Sequence, residues 1–127
     1  MTSRISGGRY VLAVQNLERS AAFYTDKLGF QTLWTTGGWQ FLYRDQVSIM
    51  IGECPDEVPA SETGCHSWFA YLEVENIDAL YIELKGRRLE TIGDITDKPW
   101  GQREFTVHTI DGHRIAFGEP LTIEKEG

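Results

Sequence analysis

One short pattern occurs twice in this chain, about 60 positions apart. The first copy reads Val14-Gln15-Asn16-Leu17-Glu18-Arg19-Ser20, continues as a helical stretch and ends on Leu28-Gly29. The second reads Val74-Glu75-Asn76-Ile77-Asp78-Ala79-Leu80, continues in the same way and ends on Gly86. In each copy an apolar strand stops, Asn stands where it can cap a helix, and Gly stands where it can end one. A unit this small cannot bury a core of its own and has to pack against its twin. A pocket is expected where the twins face each other.

Hydrophobic periodicity extends the pattern to the whole chain. A strand is expected over 9–14, a helix from Asn16 to Leu28, and strands at roughly 30–35, 38–44 and 46–52, with Asp45-Gln46 at the tight turn. Residues 53–66 carry two prolines, several acids and a glycine, and read as a linker. The order then repeats: strand 67–74, helix 77–86, strand 88–92, a loop to Gly101, strand 103–109, a turn at Asp111-Gly112 and a closing strand 113–118. The tail from Leu121 to Gly127 is polar and expected to be loose. The expected architecture is α+β, with one domain spanning 1–127. Module 1 covers about 8–53, a linker 54–66, and module 2 about 67–120, each with the order β-α-β-β-β.

Composition narrows the function classes. With 41% apolar residues the 127-residue chain can fill a core. A net charge of -7 argues against nucleic acid, because phosphate binding needs clustered Lys and Arg. The same charge favours a cationic ligand, although acidity of this size also serves solubility. No apolar run approaches the roughly 18 residues that span a bilayer. The first residues lack the apolar segment of a signal peptide. A cytoplasmic protein is expected, and Cys54 and Cys65 fit that compartment as free thiols.

Three stretches carry a family resemblance. They are Asn16-Leu17-Glu18-Arg19-Ser20 with Phe23-Tyr24 and Leu28-Gly29-Phe30; Arg44-Asp45-Gln46-Val47-Ser48-Ile49-Met50-Ile51; and Lys98-Pro99-Trp100-Gly101-Gln102-Arg103-Glu104-Phe105 followed by Asp111-Gly112-His113. In doubled β-α-β-β-β order they resemble the vicinal oxygen chelate superfamily. That group includes glyoxalases, extradiol dioxygenases, fosfomycin-resistance enzymes and bleomycin-resistance proteins. The third stretch is most like the bleomycin-resistance branch. The resemblance implies two curved mixed sheets with helices on their convex sides. It also implies a homodimer in which modules pair between subunits to give two grooves.

In the enzymes of that superfamily a metal sits on the concave face, held by four inner-facing strand residues. Motif by motif, those positions fall on Arg9, Met50, Phe69 and Ala116. None is a usual ligand, and Met alone suits only a soft metal. The resemblance, applied to these residues, implies neither metal nor cofactor. Strand parity gives the same inner face. Leu12, Val14, Val47, Ile49, Ile51, Ala70, Leu72, Val74, Phe105, Val107, Ile115 and Phe117 form the aliphatic side. Parity places Trp68 there too. His66, His108 and His113 read as surface or hydrogen-bonded histidines.

The opposite side supplies the candidate ligand-binding residues: Trp39, Phe41, Met50, Phe69, Tyr71, Glu73, Trp100, Glu104, Arg9 and Arg114. Flat aromatic walls suit a planar ligand. Glu73 and Glu104 suit a cationic group, while Arg9 and Arg114 grip an acidic one or pair with those glutamates. No nucleophile elbow, phosphate loop or reactive-cysteine setting occurs, so no catalytic residue is assigned. The expected function is metal-independent sequestration of a small cationic or planar aromatic molecule, with antibiotic resistance as its biological setting. The alternatives are a metal-dependent lyase, isomerase or dioxygenase of the same superfamily, and an interaction domain with an aromatic patch open to protein partners.

Overall fold

The computed structural model describes residues 2–121; the expectation for the tail beyond Leu121 lies outside them. Module 1 runs β1 (Tyr10–Val14), α1 (Leu17–Leu28), β2 (Gln31–Thr36), β3 (Trp39–Arg44) and β4 (Val47–Glu53). Module 2 runs β5 (Trp68–Glu73), α2 (Ile77–Gly86), β6 (Thr96–Asp97), β7 (Gln102–His108) and β8 (Arg114–Pro120). The linker between them forms two short 3-10 turns, Ala60–Glu62 and Gly64–Ser67. The sheets have the orders β1-β4-β3-β2 and β5-β8-β7-β6. In each, the first and last strands pair in parallel and the remaining pairs are antiparallel. The helix follows the first strand, runs along one face of its sheet and leaves the other face open.

The two helix starts are built differently. At α1 the Asn16 side chain accepts the Arg19 N–H at 2.9 Å, and the Glu53 carboxylate accepts the Leu17 N–H at 3.0 Å. Asn76 does not cap α2 with its side chain, contrary to the sequence expectation; it is left-handed, with φ 65. Glu119, 43 positions away, accepts the N–H groups of Asn76 and Ile77 at 2.9 and 2.8 Å instead. The helix ends differ too. Gly29 stops α1 at φ 74, whereas Gly86 is still helical and Arg88 takes the left-handed position at φ 64.

That reversal also removes the strand expected over 88–92. It turns Leu89 into the core, 5% exposed, and leaves a single bridge between Ile92 and Val107. The edge strand of module 2 is therefore the two-residue β6, paired with Arg103 and Glu104.

The aliphatic faces of both sheets share one core. Leu12, Val14, Leu28, Leu42, Ile49 and Ile51 from module 1 meet Ile77, Leu84, Phe105, Val107, Ile115 and Phe117 from module 2. Each such side chain contributes roughly 1.5–3 kcal/mol by leaving water. At one end of the seam the helix C-termini hold each other. Lys27 Nζ donates to the carbonyls of Arg87 and Arg88 at 3.2 and 3.3 Å, and Arg87 Nη1 donates to the Asp26 carbonyl at 3.3 Å. Arg44 joins them, donating to the Leu28 carbonyl at 2.9 Å and gripping Glu83 with both terminal nitrogens.

At the other end Asp111 is buried, its carboxylate accepting the Ser20 hydroxyl at 2.6 Å and Arg19 at 3.5 Å. Its carbonyl accepts the Ser61 N–H, and Gly112 sits so close that a Cβ there would lie 2.5 Å from the Ser61 backbone. No described helix is long and apolar enough to cross a membrane. Cys54 and Cys65 are free thiols.

Candidate functional site

The helix-free faces of the two sheets carry the exposed aromatics. On module 1 a bulge in β2 brings Trp34 opposite Phe41, and the two rings stack 4.6 Å apart at 2°. The Arg9 guanidinium lies 5.3 Å from the Phe41 centroid. Trp39 lies across Gly52, where a Cβ would come within 2.8 Å of its ring. Met50 is half-buried between Val11 and Phe41, its register neighbours. This face carries aromatic surface and one cation, with no carboxylate among the side chains just named.

Module 2 presents a hydrogen-bonded face. The Tyr71 hydroxyl donates to Glu104 Oε2 at 2.9 Å and lies 3.1 Å from Gln102 Oε1. Trp100 Nε1 donates to the same Glu104 oxygen at 2.9 Å. Partial desolvation first, and then the neighbouring Glu104 and Glu73 carboxylates, push the Tyr71 hydroxyl up to about 12. It therefore stays a proton donor at neutral pH. Tyr71 crosses Gly118 so closely that any side chain there would collide with it. The Arg114 guanidinium sits 5.5 Å from the Trp68 ring. Trp100 is 64% exposed; one edge of its ring is tethered to Glu104 and the Lys98 ammonium lies 5.8 Å from its centroid.

Trp39, Phe41, Met50, Tyr71, Glu104, Arg9 and Arg114 thus stand on the helix-free faces, as parity predicts, with Trp100 reaching in from the preceding loop. Phe69 does not. A bulge between Trp68 and Ala70 inserts one residue and inverts parity at the start of β5. Phe69 packs against the core, edge-on to Tyr10 at 5.6 Å and to His113 at 5.8 Å. Trp68 takes the outward place, opposite to its expected side. Glu73 ends β5 and faces a cleft at the module seam. His113 is buried rather than superficial, 8% exposed, and its Nδ1 has no hydrogen-bond partner among the described residues. Burial pulls its basicity down, against the opposing pull of Asp111.

One repeat went unread in the sequence: Ile51-Gly52-Glu53 and Phe117-Gly118-Glu119. In both, Gly clears the open face for an aromatic side chain, and the next residue, on the opposite side, caps the module's helix. Alternation along a strand makes both jobs possible in two consecutive residues.

The superfamily's metal would have to take its ligands from these side chains. Arg9, Met50 and Ala116 cannot form a ligand set, and Phe69 points away. No group of three or more His, Cys, Asp or Glu among the described residues is placed to hold a metal ion. The residues present do not fit the group.

Comparison with known proteins agrees with this architecture. The family model described as Glyoxalase/Bleomycin resistance protein/Dioxygenase superfamily matches residues 8–117. A bleomycin resistance protein of Geobacillus stearothermophilus is 33% identical over 123 residues, covering 87% of this chain and 93% of the relative. The structure of a bleomycin resistance determinant encoded on transposon Tn5 superposes with a TM-score of 0.77 at 19% identity, covering 91% of this chain and 98% of that one. A bleomycin-binding protein from Streptomyces verticillus, solved with copper(II)-bleomycin, gives 0.69 at 20% identity, covering 94% and 98%. With its doubled module, its open aromatic faces and a family match over nearly its whole length, this chain belongs to the glyoxalase/bleomycin resistance protein/dioxygenase superfamily.

Proposed function

We propose that this chain binds and sequesters a small antibiotic of the bleomycin kind in the cytoplasm, without a metal of its own. The carrying observations are the Trp34–Phe41 stack on one module and, on the other, a Glu104 carboxylate positioned by Tyr71 and Trp100. A stack of flat rings receives a planar heteroaromatic group, and the positioned carboxylate receives a cationic arm. The names of the 33%-identical relatives support the reading. Trp34, Trp39, Trp68 and Tyr71 are 37–51% exposed, which is more aromatic surface than a lone chain gains by leaving wet. A second copy, pairing its modules with these, would cover both faces and make two grooves. Two free thiols suit a reducing compartment.

Titration with metal-free bleomycin, followed by tryptophan emission, tests the reading. Saturable quenching is expected, with Trp34→Ala weakening binding about 3- to 10-fold, since a good aromatic stack contributes about 0.5–1.5 kcal/mol. Glu104→Gln should weaken it as well and make it less sensitive to salt. No quenching, or unchanged affinity in both variants, overturns the proposal. Light scattering on the same samples should report twice the chain mass.

A further inference from the structure

The repeat predicts two equivalent seam ends, and they are not equivalent. The last hairpin of module 2 turns through Asp111, which α1 clasps with Arg19 and Ser20. The last hairpin of module 1 turns through Asp45. The positions on α2 that match Arg19 and Ser20 are Ala79 and Leu80. They offer no donor. The Asp45 side chain is 88% exposed and its ion partner is Arg44, 3.7 Å away, so the turn and the Ala79–Leu80 stretch of α2 are left unclasped. A cleft of about 630 Å³ remains between them. Its floor is Leu28, Phe30, Leu84 and Phe117, all buried; Val47 and Leu80 wall it, half-buried.

The charges that line this cleft are acidic in sum: Asp45, Glu73, Glu75 and Glu83 against Arg44 alone. Asp45, Glu73 and Glu75 line it and are exposed. Arg44 grips Glu83 and the Leu28 carbonyl and lies 3.7 Å from Asp45, so it offsets one of these acids and leaves Glu73 and Glu75 without a cation in the lining. The volume lies within the roughly 300–1,000 Å³ of ordinary small-molecule sites. We propose that the seam cleft is a second ligand site, adjoining the open aromatic face of module 2 at Glu73, which takes an amphiphilic monocation: an aliphatic body on the Leu84–Phe117 floor and an ammonium or amidinium head among Asp45, Glu73 and Glu75. The site lies where one copy has Arg19 and Ser20 on the turn and the other has Ala79 and Leu80. It does not depend on what the aromatic faces bind.

Octyltrimethylammonium below its micellar concentration is the probe, with octyl sulfate as the anionic control, both followed by calorimetry. None of the four tryptophans lines the cleft. The expected result is saturable binding of the cation with unchanged tryptophan emission, and at least tenfold weaker binding of the sulfate. The double variant Asp45→Asn, Glu75→Gln, both at exposed positions, should weaken the cation about five- to tenfold, as two partly screened charges would. Ala79→Arg with Leu80→Ser grafts the clasp of the other end and should abolish binding. If that variant melts early, the Asp45/Glu75 pair still decides. Equal binding of cation and sulfate, unchanged affinity in the Asp45/Glu75 variant, or tryptophan emission that moves in step with binding would each overturn the site.

Discussion

Asp111 and Asp45 occupy the same turn of the same unit and live in opposite environments. Asp111 is 6% exposed and tied to a serine and an arginine on the neighbouring helix; the Asp45 side chain is 88% exposed, its ion partner is its own neighbour Arg44, and the matching helix positions hold alanine and leucine. The helix starts diverge in parallel. Asn16 shares the capping of α1 with Glu53, whereas Asn76 has left its side-chain role and Glu119 caps α2 alone. Duplication sets the backbone twice, but a few side chains decide whether a seam end is sealed or hollow. The open faces follow the same logic, stacked rings on one and a tethered glutamate on the other.

The largest expected effect breaks the comparison at the turns. Asp111→Ala should lower the unfolding free energy by about 2–3 kcal/mol, because Ser20 loses its partner while still fully buried. Asp45→Ala should change it by less than about 0.5 kcal/mol. Urea midpoints measure both, and equal losses would mean the two seam ends carry the same load after all.

The next effect is at the helix starts. Glu119→Ala should cost about 1 kcal/mol and Glu53→Ala about half that, since Asn16 remains as a cap for α1. The backbone N–H groups of Ile77 and Asn76 hold the Glu119 carboxyl below its ordinary range. With the folded value depressed, this stabilisation is complete above the unfolded glutamate value, about 4.3, and fades as pH falls through the folded one. Denaturation between pH 3 and 7 should therefore show a shallower acid-side decline in Glu119→Gln than in the parent protein. Parallel curves would remove Glu119 as the cap.

The smallest effect concerns His113. Its folded form favours the neutral ring because burial opposes charge. The unfolded chain then binds the extra proton first, so stability is complete above about pH 6.5 and declines below it. His113→Gln should flatten the slope between pH 7 and 5. An unchanged slope there would show that the ring gains charge without opening the seam.

The sequence made some of this legible. Asn16, Gly29 and the alternation of Leu12, Val14, Ile49 and Ile51 disclosed the repeat, the first helix and the side each strand buries. Features that depend on one inserted residue or on a distant partner were hidden. The bulge at the start of β5 leaves no local mark, yet it exchanges the faces of Trp68 and Phe69. The strand expected over 88–92 fails because Arg88 is left-handed, a conformation arginine does not advertise. The cap of α2 comes from Glu119, beyond the reach of any helical window. The doubled Gly-Glu pair, by contrast, was present to be read.

The crossed grip of Lys27 and Arg87 on each other's helix ends has a consequence for genetics. A gene cut inside the linker would yield two peptides that have each lost the cation reaching across from the other helix, at the Asp26 carbonyl in one and at the Arg87 and Arg88 carbonyls in the other. Neither peptide would then be a smaller version of the whole. The ancestral single module, if it folded, would have had to find its counterpart in another molecule. Mixing the two halves should restore one folded species by mutual rescue, and charge reversal at Lys27 alone should weaken that reunion.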